Sequence, residues 1–206
     1  MNIVIKNAAI RSSLFLSYEF EQKDLDVKNT IKTSSDAPIH DDLRNAFRAL
    51  IPHFAFICEE ITDENLVSKA IADPEMYLSD RESAPDDSFF KFKVNSFTMI
   101  DLKKGLNFVS ISGDKQLSTL EEISFPSPSI DLEGGTYKFR SELAETIEVL
   151  KKEVLAYMQG KQAPKTQMEM FREEVGEIEV EGENVTLHVV KSSKSKKDKA
   201  TDAFAE

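Results

Sequence analysis

The sequence predicts an α+β fold in which antiparallel strand meanders pack against helices on one face. Apolar and polar side chains alternate near the start of the chain and again in its middle, which is the pattern of half-buried strands. The apolar period changes to three and four residues in two separate segments, which indicates amphipathic helices. The predicted order is β-β-β-α-β-β-β-α, followed by a C-terminal hairpin.

The first three strands are predicted at residues 2–10, 13–21 and 27–34. The first two are rich in Ile, Leu, Val and Phe at alternate positions, and the third is shorter and more polar. Short connections between them favour antiparallel pairing, because strands joined by tight turns run in opposite directions.

The first helical segment carries one apolar stripe, formed by Leu43, Phe47, Leu50, Phe54 and Ile57. Pro52 lies inside this stripe and removes a backbone donor, so we expect the helix to kink or split there. Thr62 is the predicted cap of a short second helix that runs through Ala72 and ends before Pro74.

Residues 73–88 have no sustained period and predict a mobile acidic loop. Strands are predicted again at 89–102 and 105–114, with a weaker strand at 117–125. A loop follows through residue 136, because Pro126 and Pro128 exclude a central strand.

The second major helix is predicted at residues 137–159, with Gly160 at its C-terminal cap. Its apolar face contains Leu143, Ile147, Leu150, Val154 and Met158. The predicted organisation is a core domain at 1–160, a linker with a short apolar motif at 161–172, a β-hairpin at 173–191 and a disordered tail at 192–206.

The composition predicts a globular protein of the cytoplasm. The chain of 206 residues is 40% hydrophobic and 31% charged, and its net charge of −11 disfavours broad binding to phosphate backbones. The first residues alternate like a strand and lack the features of a signal peptide, and no apolar run has the length of a membrane span. Cys58 is the only cysteine, so an intrachain disulfide is excluded.

No catalytic or cofactor motif is present, and we expect a protein that is not an enzyme and uses no cofactor. The chain contains no phosphate-binding glycine loop and no nucleophile elbow. His40, His53 and His188 have no metal-ligand spacing, so no metal site is predicted. Cys58 lies near the apolar helix face, where a buried structural thiol is the default.

Charge is distributed unevenly along the chain. Residues 59–87 contain ten acidic residues against Lys69 and Arg81, whereas 191–199 is basic. A solvated acidic surface with a polar tail explains this pattern. The functional alternatives are an acidic face that imitates DNA and inhibits a host defence or DNA-handling protein, or a basic tail that contacts DNA.

The strand at 89–102 is the best internal candidate for contact with single-stranded DNA. Strict alternation would place Lys91, Lys93 and Phe97 on one face and Phe90 and Phe92 on the other. Lysines with an aromatic ring on one surface can hold a strand by charge and base stacking. The alternative is that one phenylalanine face packs on the helices while the lysine face is wet.

Three segments resemble a group of small uncharacterised phage and prophage proteins. The matching residues are Leu43, Ala46, Phe47, Leu50, Pro52 and His53 in the first segment, Val109, Ile111 and Gly113 in the second, and Ala156, Tyr157, Gly160 and Lys161 in the third. Genes of this group lie among phage replication and recombination genes. The resemblance therefore implies a role in DNA metabolism, in the cytoplasm of a host cell.

A second resemblance lies in the apolar motif of the linker. Bacterial sliding-clamp ligands carry a Gln-Leu-(Ser/Asp)-Leu-Phe peptide, which Gln167, Met168, Glu169, Met170 and Phe171 resemble in order. Met can replace Leu in an apolar groove at modest cost. The alternative is that the apolar residues of this pentad pack on their own domain.

The sequence therefore predicts a non-enzymatic phage-type accessory protein of DNA replication or recombination. It would bind a protein partner, such as a sliding clamp, through Gln167, Met168, Met170 and Phe171. The body would bind another protein or single-stranded DNA, the latter through Lys91, Lys93 and Phe97. No membrane partner is expected.

Overall fold

A computed structural model describes residues 2–24, 27–101 and 107–163 of the chain. Its strands are β1 (Asn2–Arg11), β2 (Phe15–Asp24), β3 (Val27–Pro38), β4 (Phe92–Asp101), β5 (Asn107–Gln116), β6 (Glu122–Pro126) and β7 (Ile130–Asp131). Its helices are α1 (Asp41–Arg48), α2 (Ile51–Ile57), α3 (Glu64–Ala72), α4 (Pro74–Leu78) and α5 (Arg140–Met158), and Ser88–Lys91 forms a 3₁₀ turn.

The strands form one antiparallel sheet in the order β3-β2-β1-β4-β5-β6, and β7 pairs with β5 beside β6. Two meanders, β1–β3 and β4–β6, meet where Ala8 of β1 pairs with Phe97 of β4. The predicted α+β class with antiparallel meanders is confirmed. Pairing between β1 and β4 is non-local, since the whole first helical region lies between them in the chain.

Several strand bounds differ from the prediction; for example, the strand predicted at 117–125 begins only at Glu122. β3 extends to Pro38 instead of ending at residue 34. The strand predicted at 89–102 begins only at Phe92, because Ser88–Lys91 forms the 3₁₀ turn. The segment predicted as a loop after Pro126 contains β7, whose two residues pair with β5.

Pro52 splits the first helical segment, as its position predicts. α1 ends at Arg48, and Pro52 lies in the first turn of α2, where a missing backbone donor costs no helical hydrogen bond. The stripe survives the break because its larger residues still face the sheet. Its fully buried members are Leu43, Phe47, Leu50 and Phe54.

The second short helix is capped by Asp63, so the prediction of Thr62 is wrong by one residue. The Asp63 carboxylate accepts hydrogen bonds from the backbone N–H groups of Asn65 and Leu66. Pro74 ends α3 and also begins α4, so the prediction of a loop over 73–88 is wrong for its first part. Tyr77 and Leu78 bury themselves and hold this single turn in place.

α5 carries the predicted apolar face and ends as predicted. Leu143, Ile147, Leu150 and Val154 are buried, while Met158 is half-buried at the end of the helix. Gly160 follows the helix with φ of 103°, a conformation that favours glycine.

The core lies between the sheet and the helices, and Gly113 shows how closely they meet. A Cβ at this position would lie 2.4 Å from the Lys93 carbonyl oxygen and 3.0 Å from Cε1 of Phe54. The Phe54 ring can therefore lie on bare backbone of β5, with its centroid 5.1 Å from that of Phe125.

The described body ends at Ala163, which is fastened to β3. Gln162 forms a β-bridge with Ile39, and the Ala163 N–H donates to the Pro38 carbonyl at 3.1 Å. The first residues of the predicted linker are thus part of the body. The predicted hairpin at 173–191 and tail at 192–206 lie outside the described residues.

Candidate functional site

The structure separates the three residues predicted to contact single-stranded DNA. Lys91 and Lys93 are exposed, and Lys93 Nζ donates to Ser13 Oγ at 3.0 Å. Phe97 has 0% exposure and packs beside Phe47 in the core. The prediction that Phe97 shares a surface with the lysines is wrong. Phe97 therefore offers no exposed ring on which a base could stack beside Lys91 and Lys93.

A β-bulge at Asn95 explains the error. Val94 pairs with Gly113 and Ser96 pairs with Ser112, which leaves Asn95 as an extra residue on β4. The extra residue reverses the alternation, so Phe97 faces the helices together with Val94. A count of alternate positions along the sequence cannot detect such an insertion.

The acidic region at 59–87 is largely occupied by local structure. Four of its aspartates accept hydrogen bonds from nearby backbone N–H groups at the starts of helices and turns; they are Asp63, Asp73, Asp80 and Asp86. Aspartate is favoured at such positions because its carboxylate satisfies otherwise unpaired donors.

Further carboxylates of this region form ion pairs. Glu60 pairs with Lys115, Glu64 pairs with Lys138, and Asp87 pairs with Arg81 at 3.0 Å; these pairs lie at the surface. Among the acidic side chains of this region, the carboxylates of Glu59, Glu75 and Glu82 have no hydrogen bond or ion pair within the described ranges. The acidic composition therefore has a structural explanation at most positions.

An apolar groove runs along the outer side of the helices, and we call it the outer groove. It consists of two adjoining cavities of about 460 and 560 Å³ that share Ala46, Ala49 and Val149. α1 and α5 form one side of the groove, and α3 and α4 form the other. Val149 is 52% exposed in it, an unusual position for a branched apolar side chain in the middle of a helix.

Carboxylates surround the outer groove. Five acidic side chains and one basic side chain line it, namely Asp42, Glu75, Glu142, Glu145, Glu153 and Arg48. Glu142 and Glu145 lie three residues apart on α5, and Glu75 lies opposite on α4. These three carboxylates have no hydrogen bond or ion pair among the residues that the structure describes.

Lys161 forms ion pairs with the remaining two carboxylates of the rim. Lys161 Nζ lies 2.7 Å from both Asp42 Oδ2 and Glu153 Oε2, at the end of the groove where the body stops. The hydrogen bond from Lys161 lowers the pKa of Asp42, and the bonds to Asp42 and Glu153 raise the pKa of Lys161. One end of the groove rim thus already holds an ammonium group of the chain itself.

His53 is buried and contacts Tyr137, which lines a third cavity, of about 680 Å³, together with other residues of the loop after β7. His53 Nδ1 lies 2.8 Å from the Tyr137 hydroxyl, while its Nε2 has no partner among the described residues. Burial lowers the pKa of His53 to about 4, so the ring is neutral at pH 7. A neutral histidine bonded to one tyrosine is a packing feature here.

Two other groups offer little reactivity. Burial, with a smaller contribution from Glu60, raises the pKa of Cys58 to about 11, so the thiol is protonated at neutral pH. The Gly134 amide donates to Asp131 Oδ1 at 3.0 Å, which lowers the pKa of that carboxyl and occupies an amide that an anion would need.

In the ranges 2–24, 27–101 and 107–163, no three His, Cys, Asp or Glu side chains come together in a way that could hold a metal ion. None of the helices described there combines the length and the apolar character that crossing a bilayer requires.

The predicted clamp-binding residues, Gln167, Met168, Met170 and Phe171, lie outside the described residues. Their position along the chain is nevertheless informative, since Gln167 comes four residues after Ala163.

Sequence reasoning missed the outer groove. The available signal was weak: alanines three residues apart at 46 and 49, and Val149 next to an acidic helical face.

No family model, curated protein or solved structure matches this chain. The resemblance to phage proteins and to clamp ligands therefore stays a prediction based on the residues quoted above.

Proposed function

We propose that this chain is a non-enzymatic accessory protein of phage-type DNA replication or recombination, and that it acts by binding a protein partner. The contact peptide is 167–171, which resembles the linear motif of bacterial sliding-clamp ligands. The body serves as the carrier of this peptide. A peptide of this kind needs no folded surface of its own, because the partner supplies the groove.

The observation that supports the proposal is the anchored end of the body. Ala163 is hydrogen-bonded to Pro38 and Gln162 bridges Ile39, so the chain leaves the body at one definite place on its surface. Gln167 follows after a spacer of residues 164–166, which includes Pro164. A short proline-containing spacer reduces the conformational entropy lost when the peptide binds.

The residue types of the pentad suit an apolar groove with a polar edge. Met168, Met170 and Phe171 would enter apolar pockets, and the Gln167 amide would set the register by hydrogen bonds. Unbranched methionine adapts to pockets shaped for leucine.

Fluorescence-polarisation titration tests this proposal. A labelled peptide of residues 161–174 is titrated with a bacterial sliding clamp, and a peptide with Met170→Ala and Phe171→Ala serves as the matched control. We expect saturable binding in the micromolar range for the first peptide, with a loss of about tenfold or more for the second. Absence of binding at high micromolar clamp would overturn the proposal.

A second candidate function is inhibition of a host defence or DNA-handling protein through residues 59–87. The regular backbone of α3 and α4 favours it, because a DNA-like surface needs carboxylates at defined spacing. Substitution of Glu59, Glu75 and Glu82 by Gln should then weaken binding to such a protein while leaving clamp binding unchanged. Calorimetric titration of the triple variant against a candidate DNA-binding protein would decide this, and unchanged affinity would exclude it.

Single-stranded DNA binding by the body would depend on Lys91 and Lys93, since Phe97 is buried. Two phosphate contacts give a shallow salt dependence, with a slope of about −1.4 in a plot of log affinity against log salt. A steep slope in filter binding would indicate a larger basic surface than these two lysines.

A further inference from the structure

The outer groove has features of a docking surface that the proposed function does not use. Its floor contains small and branched apolar side chains, and Val149 at its centre is half exposed to water. Glu75, Glu142 and Glu145 stand around that floor without partners in the described parts of the chain. Such a groove suits a segment that combines apolar residues with several positive charges.

The chain itself contains a segment of this chemistry. Leu187, Val189 and Val190 are followed directly by a run of five lysines, Lys191, Lys194, Lys196, Lys197 and Lys199. The only acid within this run is Asp198. The segment 167–174 suits the groove less well, because the charges of Glu169, Glu173 and Glu174 would be repelled by the acidic rim.

The place where the body ends brings this segment within reach. Lys161 is bound to Asp42 and Glu153 of the groove rim, so the chain that follows Ala163 starts near one end of the groove. Residues 164–185 connect this point to residue 186, and a random coil of that length has an end-to-end distance of about 25 Å, which gives an effective concentration in the millimolar range. A weak contact would therefore be populated within one molecule.

We propose that residues 186–199 dock in the outer groove of the same chain, with Leu187, Val189 and Val190 on the apolar floor and the lysines at the carboxylate rim. The Lys161 contact with Asp42 and Glu153 is the described example of the same pairing. The inference does not use residues 167–171, so it stands or falls separately from clamp binding.

The test is paramagnetic relaxation measured by NMR on the full chain. Cys58→Ser and Ser68→Cys place a single nitroxide at position 68, which is exposed on α3 at the groove. Docking should reduce the amide signal intensities of residues 186–199 by about twofold or more relative to residues 173–180, because the effective concentration is high. Uniform intensities over 164–206 would overturn the inference.

Matched charge reversals on α5 give the specificity control. Glu145→Lys should restore the signals of 186–199, whereas Glu148→Lys, which makes the same charge change at an exposed position of α5 outside the groove, should leave them reduced. High salt should also restore the signals of 186–199 in the spin-labelled chain without charge reversals. This measurement tests docking by charge even if a charge-reversal variant fails to fold. Signal loss that resists both reversal and salt would contradict docking by charge.

A mixed sample distinguishes a second copy of the chain as the occupant. The nitroxide is placed on unlabelled protein, and the observed ¹⁵N-labelled protein carries none. Docking within one chain predicts full intensity at 186–199 in this mixture. Reduced intensity there would show that the segment binds a neighbouring molecule, and would overturn the intramolecular proposal.

Discussion

The inner and outer faces of the same helices differ in what their side chains do. On the inner face, Phe47 and Leu150 are fully buried against the sheet. On the outer face, Val149 is half exposed beside Ala49 and the carboxylates of Glu142 and Glu145, which have no partner among the described residues. One helix layer thus combines a packed core with a groove that nothing in the described residues fills. The inner face accounts for folding, and the outer face and the chain beyond Ala163 are the places to look for binding.

Among the changes that test this comparison, removal of a large core side chain should have the greatest effect on the free energy of unfolding. Phe54→Ala should destabilise the protein by about 3–5 kcal/mol, because the ring fills the space above Gly113 and contacts Phe92 and Phe125. Val149→Ala, on the outer face, is the control and should change the free energy of unfolding by less than about 0.5 kcal/mol. Urea denaturation measures both, and similar losses for the two variants would remove the distinction between the faces.

The buried histidine of the helix layer should produce a loss of stability in acid. The unfolded chain binds a proton at His53 below its ordinary pKa of 6.5, whereas burial in the folded state lowers the pKa to about 4. The unfolded state therefore binds more protons between these values. The contribution of His53 to the free energy of unfolding is fully present above pH 6.5 and is lost as the pH drops towards 4. The shift corresponds to about 3 kcal/mol.

His53→Leu isolates this effect, because other acids titrate alike in both proteins. The free energy of unfolding from pH 7 to pH 4.5 should fall less in the variant than in the wild type, by about 2–3 kcal/mol. An identical pH dependence of the two proteins would show that the pKa of His53 is the same in the folded and unfolded states, and would contradict the lowering by burial.

Capping of α3 should have a smaller effect. Asp63→Ala removes the acceptor for the Asn65 and Leu66 N–H groups and should cost about 1 kcal/mol. Thr62→Ala is the matched control and should cost little, since Asp63 is the cap. Thermal unfolding of the two variants compares them directly, and a larger loss for Thr62→Ala would reverse the assignment.

Charge reversal on the outer face should have the smallest effect on folding. Glu145→Lys should change the free energy of unfolding by less than about 0.5 kcal/mol, because the side chain is exposed and unpartnered in the described structure. Chemical denaturation checks this, and a loss above 1–2 kcal/mol would mean that the carboxylate contributes to the core after all.

The sequence predicted the elements whose signals are local. Alternation predicted the strands, the three- and four-residue period predicted both helix faces, and Pro52 predicted the split because its missing donor acts within one turn. Gly160 was predicted as the end of α5 for a similarly local reason.

Features that depend on distant contacts were not predictable in this way. The Asn95 bulge arises from pairing between β4 and β5, so alternation along the sequence assigns Phe97 to the wrong face of β4. α4 is too short to show a period and is held by burial of Tyr77 and Leu78. The outer groove joins side chains of four helices, and only their packing brings them together.

The most direct test of the central claim measures binding of the full chain to a bacterial sliding clamp by surface plasmon resonance. The claim predicts micromolar affinity that falls about tenfold or more when Met170 and Phe171 are both changed to Ala, while Phe97→Leu, a core change, leaves the affinity as it was. Equal binding by the wild type and the double variant, or no binding by either, would contradict it.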